Sequence, residues 1–281
     1  MSKFFKALIV LSFFILPLSV SAHQPRLVND STIEVPAPEV SKAYYAELTG
    51  VPHTYYINSD KEFNLYLNLL VPKNSNPEGR FSAALYDMAT DEELYFLDGD
   101  NFEWKEFFEP FGYDTYLEGP EYKTVMPAGQ YRVAVFNQFN QGKYALAIGE
   151  LESFDFAEIM NVYKLLPQLK KDFFNEVPAN FLLSPFGAIQ VVFIILVTML
   201  FMVLLRLILK KILKKYPGWF GKTLSGRARG WRVLGFLVFF VLGAFFWSLL
   251  LFVVVGLMLY QAISGWCLAV PLYYHYFGSR K

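Results

Sequence analysis

A single cysteine occurs in the 281 residues, Cys267, and residues 23–176 have none. That absence excludes a disulfide framework, a thiolate metal site and a cysteine nucleophile from the first two thirds of the chain. Histidine is nearly as scarce, with three residues in all: His23, His53 and His275. No hydrolytic triad fits that inventory, and no phosphate-binding loop, dinucleotide-binding glycine pattern or His-Glu-x-x-His occurs. The expectation is a protein that is not an enzyme. Acidic side chains are missing altogether beyond Glu176.

That last absence gives meaning to a formal net charge of zero. Residues 23–176 carry 12 basic and 25 acidic side chains, a surplus of 13 negative charges, while residues 177–281 carry 11 basic ones and no acid. A nucleic-acid binder needs a basic surface on its folded domain, so nucleic acid is not an expected partner. The last hundred residues are also too apolar to face water, which argues against a single soluble globule.

The hydrophobic runs are read next. Lys3 and Lys6 precede an apolar stretch over 7–20, and Val20-Ser21-Ala22 places small residues where a leader peptidase cuts, so 1–22 reads as a signal peptide. Residues 186–205 are 20 without a charge, long enough at ~1.5 Å per residue to cross a ~30 Å hydrocarbon core. The 27 residues of 206–232 then hold nine basic groups, among them Arg206, Arg229 and Arg232. Such a loop stays in the cytoplasm, which puts the acidic region outside, as the leader also requires. The lipid bilayer is thus an expected partner, with 186–209 as a first transmembrane helix and 210–232 as a basic cytoplasmic loop.

Beyond Arg232 no charge appears until Arg280. One solution is a single long helix over 233–261 followed by an interfacial tail, 262–281, whose Trp266, Tyr273, Tyr274 and Tyr276 suit the headgroup level. The other is a hairpin broken near Gly256 or Gly265, which returns Arg280 and Lys281 to the cytoplasm. The first is preferred because no polar turn marks the second.

Residues 23–150 read as an all-β sandwich domain outside the membrane. Seven short aromatic or β-branched runs, at 54–57, 63–71, 81–86, 93–97, 122–126, 131–137 and 144–148, alternate with turn-forming residues such as Asp98-Gly99-Asp100-Asn101 and Asn140-Gln141-Gly142. A helical stalk over 151–180 follows, with Asp155 as its N-cap and Pro167 expected to kink or divide it. The lack of cysteines favours a bacterial inner-membrane protein whose 23–180 region lies in the periplasm.

Met126-Pro127-Ala128-Gly129-Gln130-Tyr131-Arg132-Val133, followed by Gly142-Lys143-Tyr144-Ala145-Leu146, resembles the end of a bacterial pre-peptidase C-terminal type β-sandwich. Those modules close with a Pro-x-Gly-x-Tyr hairpin strand and a Gly-x-Tyr-x-Leu strand. The resemblance covers residues 126–148, without a protease domain beside it, and implies a small binding or accessory sandwich.

Three groups of residues are candidate sites. Cleavage after Ala22 would leave His23 with an α-amine and an imidazole on one residue, a pair that suits copper, with His53 as a third nitrogen. Asp98, Asp100, Asn101 and Glu103 gather hard oxygen ligands in one turn, the chemistry calcium needs. Trp104, Phe111, Tyr113 and Tyr116 stand among carboxylates, and Pro110-Phe111-Gly112-Tyr113 reads as a loop tip whose aromatics would meet a partner. The expected function is a membrane-anchored periplasmic accessory protein presenting its sandwich to a ligand or protein partner. The alternatives are a periplasmic copper-binding protein and an accessory subunit of a membrane transporter. The transporter reading would use the few polar residues of the spans, such as Gln190, Thr198 and Gln261.

Overall fold

The computed structural model describes residues 23–212 and 224–269. The expected leader over 1–22, the middle of the expected basic loop and the end of the expected tail, beyond 269, lie outside the described residues. The chain forms two compact units, Met1–Phe186 and Gly187–Lys281.

Among the described residues the first unit holds eleven strands: β1 (Gln24–Leu27), β2 (Thr32–Glu34), β3 (Lys42–Thr49), β4 (His53–Ser59), β5 (Phe63–Pro72), β6 (Ser82–Asp87), β7 (Glu93–Leu97), β8 (Lys105–Glu109), β9 (Asp114–Met126), β10 (Gly129–Phe136) and β11 (Gln141–Ile148). They build a six-stranded sheet in the order β1-β3-β11-β5-β9-β8 and a five-stranded sheet in the order β2-β4-β10-β6-β7. Both are mixed rather than purely antiparallel, because β1 runs parallel to β3 and β2 parallel to β4. All seven runs read from the sequence lie within or overlap strands.

Alternation sets the core. In β10, Tyr131, Val133 and Val135 are buried while their neighbours are more open. They join Tyr44, Leu48, Tyr55, Leu65, Leu85, Tyr144 and Leu146 in one cluster fed by both sheets, a sandwich-like arrangement. Burying each Leu or Val of this kind contributes roughly 1.5–3 kcal/mol.

The larger sheet is covered on its second face as well. Helix α1 (Phe156–Asp172) starts at Asp155, whose carboxylate accepts from Glu158 N–H at 2.8 Å. Its first turn is tied down by the Arg26 guanidinium, which donates to both Glu158 oxygens at 2.7 and 3.0 Å. At its far end Ser75 Oγ donates to Phe173 O and Lys143 Nζ to Asp172 O, which satisfies carbonyls that a helix end leaves open. Phe173 and Phe174 meet Tyr45 edge-on, and Phe174 meets Tyr116 in the same way. The helix expected to kink or divide at Pro167 is not divided there, because contacts at both ends and a buried apolar stripe hold it together across the missing hydrogen bond.

The second unit contains α2 (Pro185–Ile212), α3 (Gly226–Phe246) and α4 (Leu249–Ser264). Two of these, α2 and α3, are long and apolar enough to cross a membrane. The single helix expected over 233–261 is not formed. The chain breaks at Trp247, in the left-handed region at φ 45°, and α3 and α4 fold into a hairpin. Trp247 N–H bonds to Ala244 O and Ser248 N–H to Gly243 O, so the turn closes without a polar sequence to announce it. A side chain on Gly235 would strike Met258, and one on Gly256 would put its Cβ 2.8 Å from Thr198 Cβ on α2. These glycines are therefore helix contacts, a role beyond ordinary glycine content.

The hairpin's open end is fastened by Arg229, which donates from Nε to Ala262 O at 2.6 Å and from Nη2 to Ile263 O at 3.1 Å. Within this unit Met202, Tyr260 and Trp266 share a buried cluster, and the Arg206 guanidinium lies 5.6 Å from the Trp266 ring centroid. Trp266, expected at the membrane interface, is buried between α2 and the end of α4. The basic loop expected over 210–232 is helical at both described ends, since Lys210 and Lys211 belong to α2 and Arg227, Arg229 and Arg232 to α3.

Candidate functional site

The segment from β7 to β9 closes one side of the sheet domain. β7 ends the five-stranded sheet, residues 98–104 cross over, and β8 ends the six-stranded sheet. One continuous stretch therefore supplies an outer strand to both sheets.

The crossover is a self-contained turn. Asp98 Oδ1 accepts from the backbone N–H groups of Asp100 and Asn101, each at 3.1 Å, and Asp98 Oδ2 accepts from Asn101 Nδ2 at 2.7 Å. The Asn101 side-chain bond, followed by those backbone bonds, holds the Asp98 carboxyl below its ordinary range. Asp100, Asn101 and Glu103 are exposed. The oxygens expected to ligate calcium are thus either spent inside the turn or directed to solvent, and the arrangement is a turn closed by the Asp98 side chain on its own backbone.

Trp104 anchors that turn. Its Nε1–H donates to Gly99 O at 2.7 Å, its ring lies against Gly119, and Arg80 stands 5.7 Å from its centroid. A side chain at Gly99 would collide with the Phe81 carbonyl oxygen, so the close approach requires glycine there.

The hairpin between β8 and β9 does turn at 110–113, but its aromatics divide. Phe111 is buried, with ring centroids 6.1 Å from Phe154 and 4.2 Å from Phe186. Tyr116 is buried too, its hydroxyl 3.2 Å from that of Tyr45. Neither is presented to a partner; both fill space that α1 and its neighbours enclose. Tyr113 is exposed and stands edge-on to Phe108. The other exposed aromatics on this side are Tyr95, Phe96, Phe102, Phe107 and Phe108, with Leu94 beside them.

The two histidines have separate partners. His23 Nδ1 lies 2.6 Å from Ser41 Oγ, and His53 Nδ1 lies 3.0 Å from the Tyr144 hydroxyl, which in turn is 2.9 Å from that of Tyr55. Burial pushes both imidazoles below their ordinary value. Among the described residues no group of three or more His, Cys, Asp or Glu is placed to hold a metal ion. His23 is thus tied to Ser41 and His53 to a core hydrogen-bond chain, and neither set of partners gathers three metal donors.

A buried charge cluster was not anticipated. Lys170 of α1 donates to Asp114 Oδ1 at 2.5 Å and to Tyr113 O at 2.9 Å, with Glu176 Oε2 at 3.6 Å. Burial pushes the Asp114 carboxyl up to about 7, against the pull of the Lys170 ammonium. Burial likewise raises Glu109, whose carboxylate accepts from Phe111 and Gly112 N–H. The cluster pins the C-terminal end of α1 to the β8–β9 hairpin. Its sequence signal was Lys170 falling on the buried stripe, four residues past Leu166 and eight past Val162.

No family model matches the chain, and no curated protein does. Among solved structures it is similar to the pre-peptidase C-terminal domain of a collagenase from Bacillus anthracis, at 10% identity over 46% of this chain and 95% of that one, with a TM-score of 0.26. That is a module of the kind residues 126–148 resemble. It is also similar to a β-glucosidase from Kluyveromyces marxianus, at 18% identity over 42% of this chain but 12% of that enzyme, with a TM-score of 0.21.

Proposed function

We propose that this chain is a membrane-anchored accessory protein, not an enzyme, which holds its β-domain on the periplasmic side of a bacterial inner membrane and binds a protein partner there. The observation that carries the binding role is the β7–β8 side, where Leu94, Phe96, Phe102, Phe107, Phe108 and Tyr113 are all exposed on one continuous segment. Six large apolar side chains left open on this one segment, on both faces of β8, are contacts that a partner would cover.

The anchoring role draws on charge and helix geometry. Gly256 approaches Thr198, Tyr260 packs with Met202 and Trp266 lies near Arg206, so α4 runs in the same direction as α2. Helix α3 opposes both, with Gly235 at Met258 and Arg229 at Ala262. In this reading α2 crosses outside to inside, and the hairpin enters from the cytoplasmic side and returns to it. At 16 residues α4 is roughly 24 Å long, short of a ~30 Å core, so the hairpin is re-entrant. Arg206, Arg229 and the end of α4 at Ser264 then share the cytoplasmic side, as positive charge prefers.

Two measurements test this. In a Cys267→Ser background, a membrane-impermeant maleimide should label Asp60→Cys in cells with a permeabilised outer membrane and leave Arg227→Cys unlabelled; the reverse pattern rejects the orientation. A photo-crosslinking residue at Phe108 should give one discrete adduct in intact membranes that the same residue at Glu47 does not; no adduct at Phe108 counts against the binding role.

A further inference from the structure

We infer that the β8 edge receives an extended, cationic polypeptide segment of the partner, which adds to the six-stranded sheet as a further strand. The inference rests on the accessory-binding reading and names the chemistry of what is bound.

Charge is the first argument. Residues 91–121 contain eleven acidic side chains and one basic one, Lys105. Ten of the 13 surplus negative charges of residues 23–176 are therefore concentrated in this one stretch, which forms the β7–β8 side. Some are internally balanced: Asp91 pairs with Arg132, and Glu106 with Lys73. Glu92, Asp100 and Glu103 are exposed and have no ion pair among the described residues.

Backbone geometry is the second. β8 is the terminal strand of its sheet, and among the described residues nothing pairs with its outer edge. Phe107 and Phe108, 37% and 48% exposed, point to opposite faces of that strand. An added strand would meet backbone groups at its centre and an aromatic ring on each face. Main-chain bonds would supply affinity and alternate side chains specificity. Lysine or arginine on the added strand would gain from Glu103, would compete with Lys73 for Glu106, and would meet the faces of exposed rings.

The same charges decide against other occupants. A second copy would bring an equally acidic edge, and like charges across an interface oppose pairing. An anionic bilayer surface is repelled for the same reason.

The test uses the full chain in detergent and a fluorescein-labelled decapeptide of alternating Lys and Val, read by fluorescence anisotropy. Binding should weaken as salt rises. A Glu–Val peptide should not bind, nor should a Lys–Val peptide interrupted by a central proline, which keeps the cationic residues but cannot pair as a strand. Phe107→Ser/Phe108→Ser and Glu103→Gln/Glu106→Gln should each weaken binding at least about tenfold. Absence of binding to the unmodified chain, equal binding by either double variant, or equal binding of the proline peptide overturns the inference. So does concentration-dependent crosslinking between copies through Phe107→Cys, which assigns the edge to self-association. Quenching of a dye at Phe108→Cys by brominated lipid in nanodiscs assigns it to the bilayer, with the same consequence. Maleimide labelling in cells fails or succeeds independently of this binding, so an error in orientation and an error in the docking edge are told apart.

Discussion

Lys170 Nζ and Asp114 Oδ1 lie 2.5 Å apart with their side chains 1% and 3% exposed, joining helix α1 to the first residue of β9. Two ions in that setting cost several kcal/mol each to desolvate, which is why burial raises the Asp114 carboxyl and why, once it is ionised, it depends on the Lys170 ammonium. Tyr113 O and Glu176 complete the surroundings of the ammonium, so the helix end, the β8–β9 hairpin and the chain leading out of α1 meet at one charge.

Breaking that pair from either side should therefore hurt unequally. Lys170→Met leaves Asp114 buried beside Glu109 and Glu176 with no cation, and should destabilise the first unit by about 3–5 kcal/mol. Asp114→Asn leaves Lys170 with Tyr113 O and Glu176 and should cost about 1–3 kcal/mol. The double substitution should cost less than the two added together. Near-ultraviolet circular dichroism melts of the full chain give the order; additive losses would show that the two groups do not interact.

The same carboxyl sets a pH dependence. Asp114 rises from 3.8 to about 7 on folding, so the folded chain holds a proton that the unfolded chain has released. Its contribution is fully present below pH 3.8 and is lost as pH rises through about 7. Glu109, also raised, acts in the same direction. His53 is depressed, and its contribution is present above its unfolded value of 6.5 and lost as pH falls through the folded one. The Asp114 part is isolated by subtraction: the stability gap between the unmodified chain and Asp114→Asn should narrow from pH 5 to pH 8, the window set by the raised carboxyl. A gap that widens over that range contradicts the assignment.

Glycine at two helix positions should respond in opposite ways. Gly230→Ala has open space and gains helix propensity, so it should be neutral or stabilising by up to about 1 kcal/mol. Gly256→Ala gains the same propensity but places a methyl 2.8 Å from Thr198 Cβ and 3.1 Å from Ile195 O, and should cost about 1–3 kcal/mol. Thermal aggregation of the detergent-solubilised chain ranks them; equal behaviour would remove the close approach of α4 to α2.

Calcium should have no effect on the crossover turn. Asp98 already accepts three hydrogen bonds from residues 100 and 101, so millimolar Ca²⁺ should leave the melting temperature unchanged. Asp98→Ala should lower stability by about 1 kcal/mol whether or not Ca²⁺ is present. A calcium-dependent rise in melting temperature would restore the metal reading by linkage.

Legibility in the sequence followed the strength of local patterns. β10 and β11 were readable because one face alternates into the core between clear turn residues. β8 was not, since Lys105 to Glu109 is open on both faces and has no alternation to detect. β3 was missed for the opposite reason: its outward residues Ala43 and Tyr45 are covered as well, which blurs the two-residue period. Among the site residues, the aromatic and acidic stretch was visible by composition. Which rings lie inside depended on Phe154, Phe186 and α1, all distant in the chain.

By itself the sequence determined what summed composition can determine: an acidic, cysteine-free β-rich region, a basic apolar region after it, and helices long enough for a membrane. These follow from charge and hydrophobicity, which add residue by residue and need no neighbours. Only the tertiary structure decided that the long apolar run folds back at Trp247, that Lys170 is inside, and that β7 and β8 become outer strands of two sheets on one side. Each of those depends on which surfaces meet. A helix breaks where packing of glycine against methionine and threonine outweighs one left-handed residue, and a lysine is buried where a distant aspartate is already waiting for it.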